Sequence, residues 1–161
     1  MKFWIITDTH LGHDKMVDFC GRPSDFSNRI LRNISLVVRH NDVLIHLGDI
    51  CIGNDAKWTA AIRSSCNGRM WLVRGNHDRK TTSWYLDHGW DWCANSMTLD
   101  MFGRSLLFTH EPVDDPGGNL NIHGHLHNTG HHDTPGGSSS RLIFIEHHYC
   151  PVGLDKIVMS S

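Results

Sequence analysis

The chain has 161 residues, 39% of them hydrophobic, and a formal net charge of −2. That length suits a single domain over residues 1–161, and the composition excludes a disordered or fibrous chain. The near-balanced charge leaves no basic footprint for sequence-independent nucleic-acid binding and none for an anionic membrane surface.

Residues 2–7 are short and apolar and end at Asp8, so they read as a buried strand. The apolar run there is too short for a signal peptide, and no run in the chain would span a bilayer, which points to the cytoplasm. Residues 27–40 carry Ile30, Ile34, Val37 and Val38 at helical spacing, and Asn41-Asp42 breaks the pattern. A second buried strand over 43–47 ends at Gly48-Asp49. A helix over 55–66 follows, with Asn54 as its cap. Residues 70–73 are a third strand, ending before Gly75-Asn76. A short helix over 82–88 stops at Gly89. Further strands are expected over 105–109, ending at His110, and over 142–145, before a last segment near Ile157 and Val158. Residues 114–118 and 129–140 are loops by their glycine, proline and serine content. Strands alternating with helices predict an α/β sandwich.

The five cysteines are odd in number and form no C-x-x-C pair, so reduced, mostly buried thiols are expected rather than a disulfide framework. The 14 histidines are the unusual feature. Histidine is the commonest transition-metal ligand and a frequent acid–base group. Asp8, Asp49, Asn76 and His110 each fall at, or just beyond, the C-terminal end of a predicted strand. In open α/β sheets that edge is where ligands bind. Most of them have a companion of similar chemistry: Asp8-Thr9-His10, Gly48-Asp49, Gly75-Asn76-His77-Asp78 and Gly124-His125-Leu126-His127. Each element alone is a weak signal; the order and the strand-end placement carry the weight.

The series D-x-H, G-D, G-N-H-D, H, G-H-x-H resembles the motif set of the calcineurin-like metallophosphoesterases. The match runs from Asp8 to His127. The flanking T-D-T-H-L-G-H, G-R-P and H-L-G-D-I resemble the small, single-domain branch found in bacteria and their phages. The resemblance implies two β-sheets packed face to face with helices outside, and a two-metal centre at the strand ends. It implies that Asp49 bridges the ions, that Asp8, His10 and His127 complete the first, and that Asn76, His110 and His125 complete the second. Two divalent ions about 3.5–4 Å apart hold a hydroxide between them and clamp a phosphate. A ligand set of imidazoles and carboxylates suits manganese, iron, zinc or nickel, with manganese favoured. His77 is the implied proton donor to the leaving group and, with Asn76, a phosphate contact.

In an extended segment, side chains two apart point the same way, so His125 and His127 would reach the ions from one side. Gly124 would keep the backbone narrow beside them. His123 shares their parity and reads as a packed or ligand-orienting residue. His13 and Arg22 are candidate substrate contacts, the guanidinium by forking onto phosphate oxygens. Asp78 reads as a structural turn residue, His46 as packed in a strand, and the pairs His131-His132 and His147-His148 as solvated.

The text G-D-I-C-I-G-N departs from the G-D-x-x-D-R-G of protein phosphatases in the same superfamily, which speaks against that activity. The leading expectation is a metal-dependent hydrolase of phosphodiesters, nucleotide-derived ones among them. The alternatives are a small-molecule phosphomonoesterase and a non-catalytic binding module; a nuclease on long nucleic acid is disfavoured by the charge. The implied partner is a small phosphoester or nucleotide. The sequence does not address oligomeric state.

Overall fold

The computed structural model describes residues 1–128 and 137–159. In chain order its elements are β1 (Phe3–Ile6), α1 (Met16–Cys20), α2 (Phe26–Val37), β2 (Val43–His46), α3 (Asp55–Ser65), β3 (Arg69–Val73), α4 (Thr82–Asp87), β4 (Trp92–Ala94), β5 (Ser96–Met101), β6 (Arg104–Thr109), β7 (Leu120–His123), β8 (Ser140–Leu142), β9 (Val152–Gly153) and α5 (Leu154–Met159). They build two sheets, ordered β4-β3-β2-β1-β9 and β5-β6-β7-β8. In the first, β1 to β4 pair in parallel and β9 closes the edge antiparallel. In the second, β5 and β6 form a hairpin, and β6, β7 and β8 run parallel.

The central strands read as unbroken apolar runs because both of their faces are covered. Along β1, Ile5 faces the second sheet while Ile6 faces the helices; along β2, Ile45 and Leu44 divide the same way. The inter-sheet core is completed by Leu106 and Phe108 from β6 and Leu120 and Ile122 from β7. The helix-side core takes Ile30 and Ile34 from α2, Ile62 from α3 and Tyr85 from α4. Asn54 caps α3, its side chain accepting from the Lys57 N–H at 3.4 Å, and Gly89 ends α4 with φ of 97°.

Several elements differ from the sequence expectation. The helix expected over 27–40 is α2, which stops at Val37. The expected strand over 142–145 is β8, shifted toward the N-terminus so that Ser140 pairs with Asn121; residues 145–148 form a turn. The segment near Ile157 is helix α5, tucking Leu154 and Ile157 into the inter-sheet core. The hairpin partner β5 was not anticipated, although Met97, Leu99 and Met101 alternate inward along it. Its two-residue turn, Phe102-Gly103, has positive φ at both positions, which matches the twist of the strands it joins. Of the expected loop over 129–140, residues 129–136 lie outside the described residues, as do His131 and His132.

The parallel strands direct their C-terminal ends toward one edge. Asp8 follows β1, Asp49 follows β2, Asn76 follows β3, His110 follows β6, and His125 and His127 follow β7.

Candidate metal centre

The residues at that edge form two neighbouring groups of donor atoms. Asp8, His10 and His127 place one ligand atom each within 4.8 Å of one another, and so do Asp8, Asp49 and His110. Asp49 lies between them: its Oδ2 is 3.6 Å from His10 Nε2 and 3.4 Å from His110 Nε2. Around His110 Nε2 lie Asn76 Oδ1 at 3.0 Å and His125 Nδ1 at 3.1 Å. His127 Nε2 faces Asp8 Oδ1 at 3.6 Å.

Buried neighbours fix which atom of each side chain faces inward. Asp8 Oδ2 accepts from the Thr7 hydroxyl at 2.6 Å and from the His125 N–H at 2.9 Å. Asp8 Oδ1 is buried without a hydrogen-bond partner. An orphan carboxylate oxygen needs a compensating charge. Burial pushes the Asp8 carboxyl above its usual range, against the opposing charges of His110 and His127. Burial also drives His10 down to about 3, which leaves a neutral imidazole with a free lone pair. His110 donates from Nδ1 to the Leu47 carbonyl at 2.7 Å; against burial, the Asp49 and Asp8 carboxylates raise this imidazole to about 9, so Nε2 keeps a proton that a bound cation would displace. His127 is oriented through Nδ1, 3.2 Å from Glu146 Oε1. These groups suit a divalent cation on three counts: the orphan oxygen, the neutral His10 imidazole, and the Nδ1 contacts that turn the Nε2 atoms of His110 and His127 inward.

The backbone is distorted at the donors. Asp8, His10, Asp49, His125 and His127 all have φ between 42° and 70°. That region costs a non-glycine residue about 1–3 kcal/mol and concentrates at functional sites. The expectation of an extended segment from His123 to His127 is therefore overturned. β7 ends at His123, and His125 and His127 reach different groups through left-handed turns rather than through strand parity. Gly124 has the narrow role expected of it: a Cβ there would meet Thr7 Oγ1 at 2.1 Å and Asp8 Oδ2 at 2.4 Å. Gly75 is similar, since its Cβ would fall 2.2 Å from Asp49 Oδ1.

His123 is buried among Ser140 Oγ and its neighbour's carbonyl and does not reach the donors. His46 is likewise packed, 2.9 Å from Thr9 Oγ1. Asp78 ties two motifs together, accepting from Gly75 N–H at 2.8 Å, Asp49 N–H at 2.7 Å and Ile50 N–H at 3.1 Å. His77 presents its ring to the open side, 39% exposed, while its N–H donates to Asp49 Oδ1 at 2.9 Å. His13 stands beside it at the mouth. His147 and His148 are exposed, as expected of a solvated pair.

Arg22 corrects the sequence reading. It is 1% exposed, with Nη2 and Nη1 donating to the Asp8 and Thr9 carbonyls at 2.8 and 2.9 Å and Nε to Glu146 Oε1 at 3.0 Å. A guanidinium so enclosed does not meet substrate. Glu146, absent from the expected site, is the other half of this pair. Its one available signal was rarity, since it is one of only two glutamates in the chain. Burial alone would raise its carboxyl, but His127 and then Arg22 hold it down at about 2. Cys20 also lies within ligand distance of His127 and Glu146, and its thiol is raised by burial. All five cysteines are free.

A two-sheet α/β fold with clustered imidazoles and carboxylates at its strand ends defines a metal-dependent hydrolase scaffold. Residues 1–156 match the family model described as calcineurin-like phosphoesterase, and the chain belongs to that family. It is similar to an uncharacterized protein of Methanocaldococcus jannaschii, MJ1445, with 28% identity over 172 residues, covering 98% of this chain and 89% of that protein. Its fold is similar to that of a protein of unknown function from Aquifex aeolicus, AQ665, with a TM-score of 0.79 and 24% identity over 98% of this chain and 97% of the other. Among the described residues no helix is long and apolar enough to cross a membrane.

Proposed function

We propose that the protein is a dinuclear-metal phosphodiesterase. Asp8, His10 and His127 would hold one ion, Asn76, His110 and His125 the other, and Asp49 Oδ2 would serve both. A pair of divalent ions there would supply a water deprotonated near neutral pH and positive charge against the phosphoryl oxygens. Asp49 is suited to its place because Oδ1 is occupied by the His77 N–H, which aims Oδ2 at both groups. The Asn76 amide stands where it can add a donor to a phosphoryl oxygen. His77, on a fixed turn with its ring in the open, delivers a proton to the departing alkoxide.

The observation that carries the diester reading is the opening on both sides of His77. His13 and His77 line a cavity of about 380 Å³ that also holds the donors His10, Asp49, Asn76, His125 and His127, and a neighbouring cavity of about 510 Å³ that lies on past the two histidines. A monoester fills one arm; a diester needs room for two.

The test is hydrolysis of bis(p-nitrophenyl) phosphate beside p-nitrophenyl phosphate by metal-stripped protein resupplied with manganese. Both release the same chromophore, so faster diester turnover supports this reading. Faster monoester turnover replaces it with a phosphomonoesterase. Turnover of neither, with manganese bound, replaces it with a binding module.

A further inference from the structure

The two cavities that meet at His13 and His77 have opposite chemistry. The first is walled by Met16, Phe19 and Cys20 of α1. No lysine or arginine lines it among the described residues. Phe19 is 66% exposed, and its ring meets His13 edge-on, with centroids 6.4 Å apart. The second cavity is lined by Arg79 and Lys80 together with Cys51, Ile52 and Asp55. Among the described residues no carboxylate lies within ion-pair distance of either cation. Lys80 Nζ sits 5.7 Å from the Trp84 ring centre.

Resting on the diester reading above, we infer that the substrate is a short nucleotide diester, with one arm bearing a base that packs on Phe19 and the other bearing a further phosphate that meets Arg79 and Lys80. The two arms of a symmetric small diester would see the same chemistry, and these walls do not offer it. The exposed Phe19 ring, braced edge-on by His13 at the rim of the cavity that holds the donors, offers a flat group a face to stack on. Phosphate recurs along a nucleotide chain, so a second anion arrives one residue from the scissile one. The net charge of −2 gives no basic track for a long strand. The molecule therefore favours dinucleotides and short oligonucleotides.

The experiment uses the manganese-loaded protein with a thymidine dinucleotide, its 5′-phosphorylated form, and analogues lacking one base or the other, with products separated by chromatography. Wild type prefers the intact dinucleotide over one of the abasic analogues by about tenfold in kcat/KM, the scale of one base stacked on one ring. Phe19→Ala abolishes that preference and Phe19→Trp restores it. The double variant Arg79→Ala/Lys80→Ala removes the preference for the 5′-phosphorylated form. Wild type indifferent to the base, or a preference that survives Phe19→Ala, overturns the inference while bis(p-nitrophenyl) phosphate turnover leaves the diester reading standing. Absence of turnover on every diester removes both.

Discussion

Glu146→Ala is the most searching perturbation of this molecule. The carboxylate is 4% exposed, and it faces an Arg22 side chain that is fully enclosed. Removing it leaves a buried guanidinium with no counter-charge. Breaking a buried pair from one side costs about 3–5 kcal/mol. For a chain of this size each kcal/mol moves Tm by about 2–4 °C, so a fall of roughly 6–20 °C is expected. Solvent screens the pair little, because neither side chain is wetted. The same change frees His127 Nδ1, so manganese affinity should drop by about 10–100-fold. The assays are a circular-dichroism melt of metal-stripped protein and a manganese titration followed calorimetrically. The companion variant, Arg22→Met with Glu146→Leu, separates the two effects. It removes both charges, so it should recover part of the melting temperature, less the cost of the Asp8 and Thr9 carbonyls that Arg22 had satisfied. It should not recover manganese affinity, because His127 still lacks its acceptor. A Glu146→Ala protein melting within about 2 °C of wild type would refute the buried-charge reasoning. Unchanged manganese affinity would refute the orienting role.

Gly124→Ala forces a Cβ against Thr7 Oγ1 and Asp8 Oδ2, both in rigid buried positions. It should cost about 1–3 kcal/mol by overpacking and lower turnover by about 100-fold through displacement of Asp8, read by melting and by initial rates; wild-type rates would show that the wall yields. His77→Ala should reduce hydrolysis of nucleoside diesters by about 10²–10⁴-fold and of p-nitrophenyl diesters far less, since nitrophenolate departs without a proton. Equal losses on both would assign His77 to binding alone. Asp42 joins the start of β1 to the turn before β2, accepting from Lys2 N–H at 2.7 Å, Trp4 Nε1 at 3.1 Å and Arg39 N–H at 3.1 Å. Burial opposes ionisation there, but these donors hold the carboxyl below its ordinary 3.8. A depressed carboxyl stabilises the fold above its unfolded pKa and ceases to as pH falls through the folded one. The Tm gap between wild type and Asp42→Asn should accordingly be full at neutral pH and close below about 3.8. A gap that is constant from neutral pH to pH 3 would contradict this.

The donor set was legible because each motif is local. A short apolar strand followed within a few residues by Asp, Asn or His announces itself, and the order of the motifs supplies the rest. What stayed hidden depends on distance along the chain. Arg22 and Glu146 are 124 residues apart, and nothing near either one marks it as buried. An arginine in G-R-P reads as a surface phosphate contact until its partner is known. The hairpin strand β5 was a lesser omission: its alternation, with Met97, Leu99 and Met101 inward and Thr98 and Asp100 outward, was present but short.

The histidines of G-H-L-H show how a sound placement can rest on the wrong geometry. Strand parity would carry both imidazoles to one side, yet the chain leaves β7 at His123 and turns left-handed at each of them. Conformations of that kind do not persist unaided, and the structure holds each from a buried charge or its neighbour. Arg22 grips the Asp8 and Thr9 carbonyls on either side of the first turns. Asp78 takes the Asp49 N–H. Asp8 Oδ2 takes the His125 N–H, and Glu146 steadies the His127 ring. Charged groups in a core are costly, and hydrophobic replacements are often neutral or better for stability. Their presence here follows from a different demand. Five donors must stand in backbone shapes that packing alone would relax, and only strong, directional bonds from immobile partners keep them there.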